Sequence, residues 1–116
     1  MESFSFNGQT VQLRDGAYLA TVYGTLVEPS GYRIFAVKSS DGVHWAIHSL
    51  IADNTCGVVG KEGPNESALL RLNDGRILCV FRVGSRADYG QCWSSDEGQS
   101  WSAPVTMEGV FSVQPS

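Results

Sequence analysis

The 116-residue chain carries no basic run, no long apolar stretch and no closely spaced cysteine pair, and each absence removes a class of function. Eight Lys and Arg against twelve Asp and Glu leave a formal net charge of -4. The cationic footprint that neutralises phosphates is therefore missing, and nucleic acid is not an expected partner. No apolar run approaches the roughly 18 residues of a spanning helix, so no membrane partner is expected either. The polar start, Met1 to Thr10, has neither the basic nor the greasy part of a signal peptide, which makes the cytoplasm the expected location. Cys56, Cys79 and Cys92 are three in number and form no CxxC. An odd count speaks against a disulfide framework, and they read as reduced, mostly buried small apolar residues.

Other chemistry is thin. Asn65-Glu66-Ser67 fits the glycosylation sequon, but a three-residue pattern recurs by chance and needs a secretion that nothing here indicates. His44 and His48 flank Trp45 with no Cys, Asp or Glu cluster of metal-ligand spacing around them, so no metal site is expected. There is no Gly-rich phosphate loop, no Gly-x-Ser-x-Gly elbow and no Cys/His nucleophile pair, and no cofactor is expected.

What the sequence does hold is enough apolar residues, 42%, to fill the core of one domain of this length. They come in short runs of Val, Ile, Leu, Phe and Tyr bounded by Gly, Asp, Asn and Ser, without helical periodicity over a dozen residues, so the fold class is all-β. In the first half the runs "TVQLR", "AYLATVYGTLV", "YRIFAVKSS" and "AIHSLIA" read as four strands. In the second half "SALLRLN", "RILCVFRVG", "YGQCWSS" and "APVTM" do the same, separated by an Asp-Gly turn, the "SRAD" loop and the "DEGQ" turn. "ILCVF" is almost continuously apolar, which implies cover on both faces of its strand.

The two halves repeat one another. Asp15 and Asp74 of the Asp-Gly turns stand 59 residues apart, and Trp45 and Trp101 stand 56 apart, a period that suits propeller blades or solenoid units. The expected organisation is a first blade over 9–53, a second over 66–107, and a lead into a further blade over 108–116. The motif "SSDGVHW" at 39–45 recurs as "SSDEGQSW" at 94–101, one residue longer. In each, the Asp carboxylate is expected to accept backbone N–H bonds, Gly to supply a positive φ, and Trp to pack over the hairpin.

This Ser-x-Asp-x-Gly-x-x-Trp pattern resembles the Asp-box of the sialidase (BNR repeat) superfamily. The resemblance implies two four-stranded antiparallel blades of a six-bladed β-propeller, with the boxes at outer hairpins far from the ligand funnel. Asp41 and Asp96 then carry turns rather than catalysis. The segment "NESALLRLNDGRILCVFR" is similar to the sialidase segment holding a functional Glu and one arginine of the triad. On that resemblance Glu66 is the candidate catalytic residue, supporting a tyrosine nucleophile, and Arg82 is the candidate that grips a substrate carboxylate through its fork of donors. As a plain pair, they would be a solvated ion pair worth under about 1 kcal/mol. In the first unit Asn7 and Tyr23 stand where Glu66 and Arg82 stand in the second, so the units have diverged at the site.

No acid/base Asp, no further triad arginine and no tyrosine nucleophile fall in matching settings. One Glu and one Arg cannot supply acid, nucleophile and clamp together. Recognition of a carbohydrate or small anionic ligand is therefore expected, ahead of exo-sialidase-type hydrolysis in a complete propeller or a non-catalytic, self-assembling remnant. Two blades leave two apolar faces open, and three copies of two make six. A homotrimer is the expected assembly. Members of the resembled family are often secreted, in contrast to the location the start of this chain suggests.

Overall fold

The computed structural model describes residues 3–25, 32–53, 66–83 and 88–111. Cys56, Asn65, the "SRAD" loop at its first three residues and the tail 112–116 lie outside the described residues. Two four-stranded antiparallel sheets are built from strands that pair in simple chain order, with no crossover. The first holds β1 (Ser3–Gln12), β2 (Tyr18–Thr25), β3 (Tyr32–Ser39) and β4 (Ala46–Ala52). The second holds β5 (Ser67–Arg71), β6 (Ile77–Phe81), β7 (Asp88–Ser94) and β8 (Val105–Phe111). No helix occurs among the described residues, and so none is long and apolar enough to cross a membrane.

The Asp-Gly turns are the same device twice. Leu13 N–H donates to Ala17 O and Gly16 N–H to Leu13 O, and Leu72, Arg76 and Gly75 repeat the pattern. Asp15 Oδ1 accepts from Ala17 N–H at 2.9 Å, as Asp74 Oδ1 does from Arg76 N–H at 3.0 Å. A glycine at φ +90° or +94° completes each turn, a region that L side chains enter only at a cost.

Strand alternation sends successive side chains to opposite faces. Leu19 and Thr21 on β2, with Ile34 and Ala36 on β3, point at the second sheet, which answers with Leu69, Ile77, Cys79, Phe81 and Cys92. These residues form one core shared by the two sheets, with Val11, Tyr23 and Trp101 packed at its margin. Cys79 and Cys92 sit directly opposite each other on β6 and β7, both free and fully buried. The hydrogen bond with Cys92 and burial hold the Cys79 thiol well above its usual range, so it stays protonated. On the far side of the first sheet Ala20, Val22 and Val37 make a smaller cluster under Phe35 and Trp45.

Three expectations need correction. β1 begins at Ser3, not near residue 9, because the sheet absorbs Asn7 and Gly8 in an irregularity between Phe6 and Thr10 instead of ending there. Glu108 to Phe111 belong to β8 and not to a following unit. Gly109, at φ +84°, lets the strand step over a register shift, so that Tyr89 faces Met107 while Asp88 faces Phe111. Among the described residues β6 is fully buried on one face and half-buried on the other. Ile77, Cys79 and Phe81 are buried, but Leu78 and Val80 are half-buried on the other side. The apolar run anticipates a neighbour that the described residues do not contain.

Gly98 lies where the second unit presses on the first. A Cβ there would stand 2.8 Å from Leu19 Cδ2 on a backbone with φ +83°, whereas a Cβ on Gly16 would meet nothing within 4 Å. Gly16→Ala should cost about 1–2 kcal/mol of strain, and Gly98→Ala about 1–3 kcal/mol more from overpacking against Leu19. Urea denaturation of the two variants beside the parent chain checks the difference, and equal losses would show that Gly98 is not an interface residue.

Candidate functional site

Glu66 and Arg82 meet. Arg82 N–H donates to Glu66 O at 2.9 Å, extending the β5–β6 ladder one step beyond the Ser67–Phe81 pair. This places both side chains at the same end of the hairpin, where Arg82 Nη1 donates to Glu66 Oε1. The two ends of the ion pair live in different surroundings. The Glu66 side chain is 57% exposed and that of Arg82 only 15%. Arg82 Nε is buried and meets no acceptor among the described residues. A guanidinium cannot shed its charge, and a buried donor without an acceptor costs about 1–3 kcal/mol. The fork is thus partly buried and incompletely used, next to a carboxylate that faces water.

The neighbourhood joins both sheets. Ser67 Oγ donates to Thr21 Oγ1 at 2.9 Å, across from β5 to β2. Tyr23, the first unit's counterpart of Arg82, is partly buried against the shared core. Asn7, the counterpart of Glu66, lies within the irregular part of β1. The two units therefore offer different groups at equivalent places.

The aspartates of the repeated motif are consumed by their own turns. Asp41 Oδ1 accepts from Val43 and His44 N–H at 2.8 and 2.9 Å, and Ser39 Oγ donates to it at 3.0 Å. His44 Nδ1 lies 2.8 Å from Asp41 Oδ2. The backbone N–H of His44, its ring and the N–H of Val43 together hold the Asp41 carboxyl well below the usual carboxylate range. In the second motif Ser94 and Ser100 hydroxyls and Ser100 N–H occupy Asp96 in the same way, and the Ser100 hydroxyl is the main cause of its lowered pKa. No acid/base work is left for carboxylates so saturated. Among the described residues no group of three His, Cys, Asp or Glu is placed to hold a metal ion.

A shallow pocket of about 370 Å³ opens beside the second motif, lined by Arg76, Trp93, Ser95, Ser100, Trp101 and Ser102. Several of its polar groups are already engaged. Arg76 Nε donates to Asp74 Oδ2 and its guanidinium lies 5.8 Å from the centre of the Trp93 ring. Ser100 is held by Asp96, and Ser102 Oγ accepts from Trp93 N–H.

The extra residue of the longer motif is a structural part that the sequence pattern did not disclose. Glu97 sits at φ +60°, the one described non-glycine residue with positive φ, a conformation costing about 1–2 kcal/mol. Its carboxylate takes both Nη groups of Arg71, at 2.6 and 3.1 Å, and Arg14 N–H at 2.7 Å. Arg71 also donates to Gly75 O and, across the sheets, to Gln12 O. A single carboxylate thus clasps β5 and the first unit's Asp-Gly turn. Trp101 departs from expectation too. Instead of merely covering its own hairpin, it donates from Nε1 to Ser49 Oγ on β4, and Ser49 in turn donates to Gly98 O. The mismatch in motif length is the signal that marks Glu97, though nothing in it identifies Arg71 as the partner.

No family model matches the chain, and no curated protein does. Among solved structures it is similar to a protein of unknown function from Dyadobacter fermentans DSM 18053, with a TM-score of 0.70 at 20% identity. The match covers 87% of this chain and 27% of that one, so the chain spans about a quarter of its structural neighbour. At that identity the likeness speaks for the fold alone.

Arg71 lowers the Glu97 pKa from the usual 4.5 to about 2, with Arg14 N–H helping. A depressed folded-state pKa adds stability that is fully present above the unfolded value and drains away as pH falls through the folded one. Glu97→Gln should therefore lose about 1–3 kcal/mol at neutral pH, and the gap from the parent should close between pH 4.5 and about 2. Stability curves of both proteins across that range check this; a gap independent of pH would contradict it.

Proposed function

We propose that the two sheets are blades of a sialidase-like, six-bladed β-propeller and that the Glu66–Arg82 pair contributes to recognition of a carbohydrate, with an acidic sugar as the favoured class. The observation that carries the binding reading is Arg82: a guanidinium mostly withdrawn from water, with one Nη on an exposed carboxylate and a buried Nε that has no acceptor among the described residues. Such a fork suits a planar carboxylate, and Glu66 beside it suits sugar hydroxyls. The propeller reading is supported by two antiparallel meanders of four strands, each ending its third strand in an Asp-box turn, with β1 and β5 in contact where the sheets approach. The neighbour's greater length leaves room for further sheets of the same kind.

Binding is favoured over turnover because Asp41 and Asp96 are occupied by turn hydrogen bonds, so neither is left for acid/base work. Titration calorimetry with N-acetylneuraminate should show binding by the parent chain. Arg82→Ala should weaken it about tenfold or more, and Arg82→Lys should weaken it as well, since a lysine cannot present the planar fork. A neutral hexose should bind without regard to Arg82. No binding by the parent chain would sink the reading. Cleavage of a fluorogenic sialoside that disappears in Arg82→Ala would move the assignment from binder to glycoside hydrolase.

A further inference from the structure

Cys79 and Cys92 are nucleophiles that neither the turns nor the Glu66–Arg82 site uses. They are direct partners on the adjacent antiparallel strands β6 and β7, both free and both without exposure. Residues paired in this way point to the same face, and a hydrogen bond joins the two thiols. Opposed residues of an antiparallel ladder hold their Cα atoms about 4.5 or 5.5 Å apart, inside the span of roughly 4.4–6.8 Å that a disulfide accepts. A bridge between them therefore needs no rearrangement of the backbone.

Packing alone does not ask for sulfur at these places. Tyr18 faces Ser39 in the first sheet as Ile77 faces Ser94 in the second. Two steps along each ladder, the first sheet sets Ala20 opposite Val37 where the second sets Cys79 opposite Cys92. Ala20 and Val37 are buried as well, so an apolar pair fills the equivalent position. One buried cysteine behaves as a small apolar residue, but two as direct partners make a dithiol. Access to it is controlled by the shared core, in which both cysteines pack with Leu19, Ile34 and Ala36. Thiol–disulfide exchange needs a thiolate that can reach its target. While the sheets are together, the thiols are shielded from any dissolved oxidant.

We infer that Cys79 and Cys92 form a reversible redox-modification site that takes a low-molecular-weight disulfide, such as oxidised glutathione, when the two sheets part. Once the pair meets water, one cysteine gives up its proton and its thiolate attacks a sulfur of the oxidant. The S–S bond of the oxidant breaks and one glutathione thiolate leaves. The second cysteine, deprotonated in turn, attacks the protein-bound sulfur of the mixed disulfide, forms the Cys79–Cys92 bond and releases the second glutathione. The two protons lost by the protein end on the two glutathione thiols, so the dithiol is oxidised by two electrons and the oxidant is reduced by two. Opposed Cβ atoms stand about 4.5–5.5 Å apart, and a disulfide draws them to roughly 3.5–4.5 Å. The bridge therefore pulls the strands together and stays open to reduction. It ties the two middle strands of the second sheet and holds their register when the core opens. The inference stands on register and burial and does not depend on which ligand Arg82 takes.

The full chain is incubated with oxidised glutathione at neutral pH over a series of urea concentrations below its unfolding midpoint, and the products are mapped by peptide mass. A Cys79–Cys92 bridge should form, slowly without urea and faster as urea opens the core. At a fixed urea concentration the bridged chain should hold an unfolded population about tenfold or more below that of the reduced chain, and dithiothreitol should restore the original curve. Cys79→Ala combined with Cys92→Val, which installs the first unit's own pair, should fold by circular dichroism and unfold alike with and without oxidant. The mapping on the parent chain decides the matter even where that variant does not fold. Glutathione retained on either cysteine, a bridge to Cys56, no oxidation of the opened chain, or a bridged chain no more stable than the reduced one overturns the inference. A rate of bridging indifferent to urea overturns it too, since the packed core would then not control access.

Discussion

Water is excluded from the layer between the two sheets by Leu19, Ile34 and Ala36 on one side and Ile77, Cys79 and Phe81 on the other, all buried. Neither sheet could keep these side chains from solvent by itself, because four strands paired in one layer leave a face open until a second layer packs on it. Burial of the larger of these, Leu19, Ile34, Ile77 and Phe81, is worth about 1.5–3 kcal/mol apiece, which makes this layer the term that the rest of the structure depends on. The turns, the ion pairs and the candidate site all inherit their positions from it. Ser67 reaches Thr21, and Trp101 reaches Ser49, because the core has already brought the sheets together.

The repeated motif shows how one piece of turn chemistry serves two purposes. In the first unit the short form folds on itself, with Asp41 capped by its own loop and His44. The second unit inserts Glu97 into the same frame, accepts a strained backbone there, and gains a carboxylate that grips Arg71 and Arg14 N–H. The strain is offset by charge-assisted hydrogen bonds in a partly buried setting, where they are stronger than at an open surface. Gly98, next along, lets the same turn come close to Leu19. The second motif is therefore an adhesive between units, while the first remains a hairpin end.

Much of this was legible from residues alone. The Asp-Gly dipeptides marked both turns because only glycine accepts that φ cheaply, and the runs around "ATVYG" and "ILCVF" marked central strands because they are β-rich and apolar. The Glu66–Arg82 meeting followed from their spacing about one hairpin. Strand ends were less legible: the first unit was expected to open at 9 and the second to close at 107, yet β1 begins at Ser3 and β8 runs to Phe111 across irregular pairing. The apolar run of β6 reports what the strand is suited to touch, and among the described residues one of its faces is buried and the other half-buried. The Glu97–Arg71 clasp was invisible, since it joins positions 26 apart through the packing of two sheets, and no local pattern encodes that approach.

If the sheets share one core, they must open together. Native-state hydrogen exchange over a urea series compares the slowest amides of β2 with those of β6, the inner strands of the two sheets. With a shared core, both sets should show the same opening free energy and the same urea dependence. Exchange from one sheet at a lower free energy, while the other stays protected, would show two independent units and contradict it.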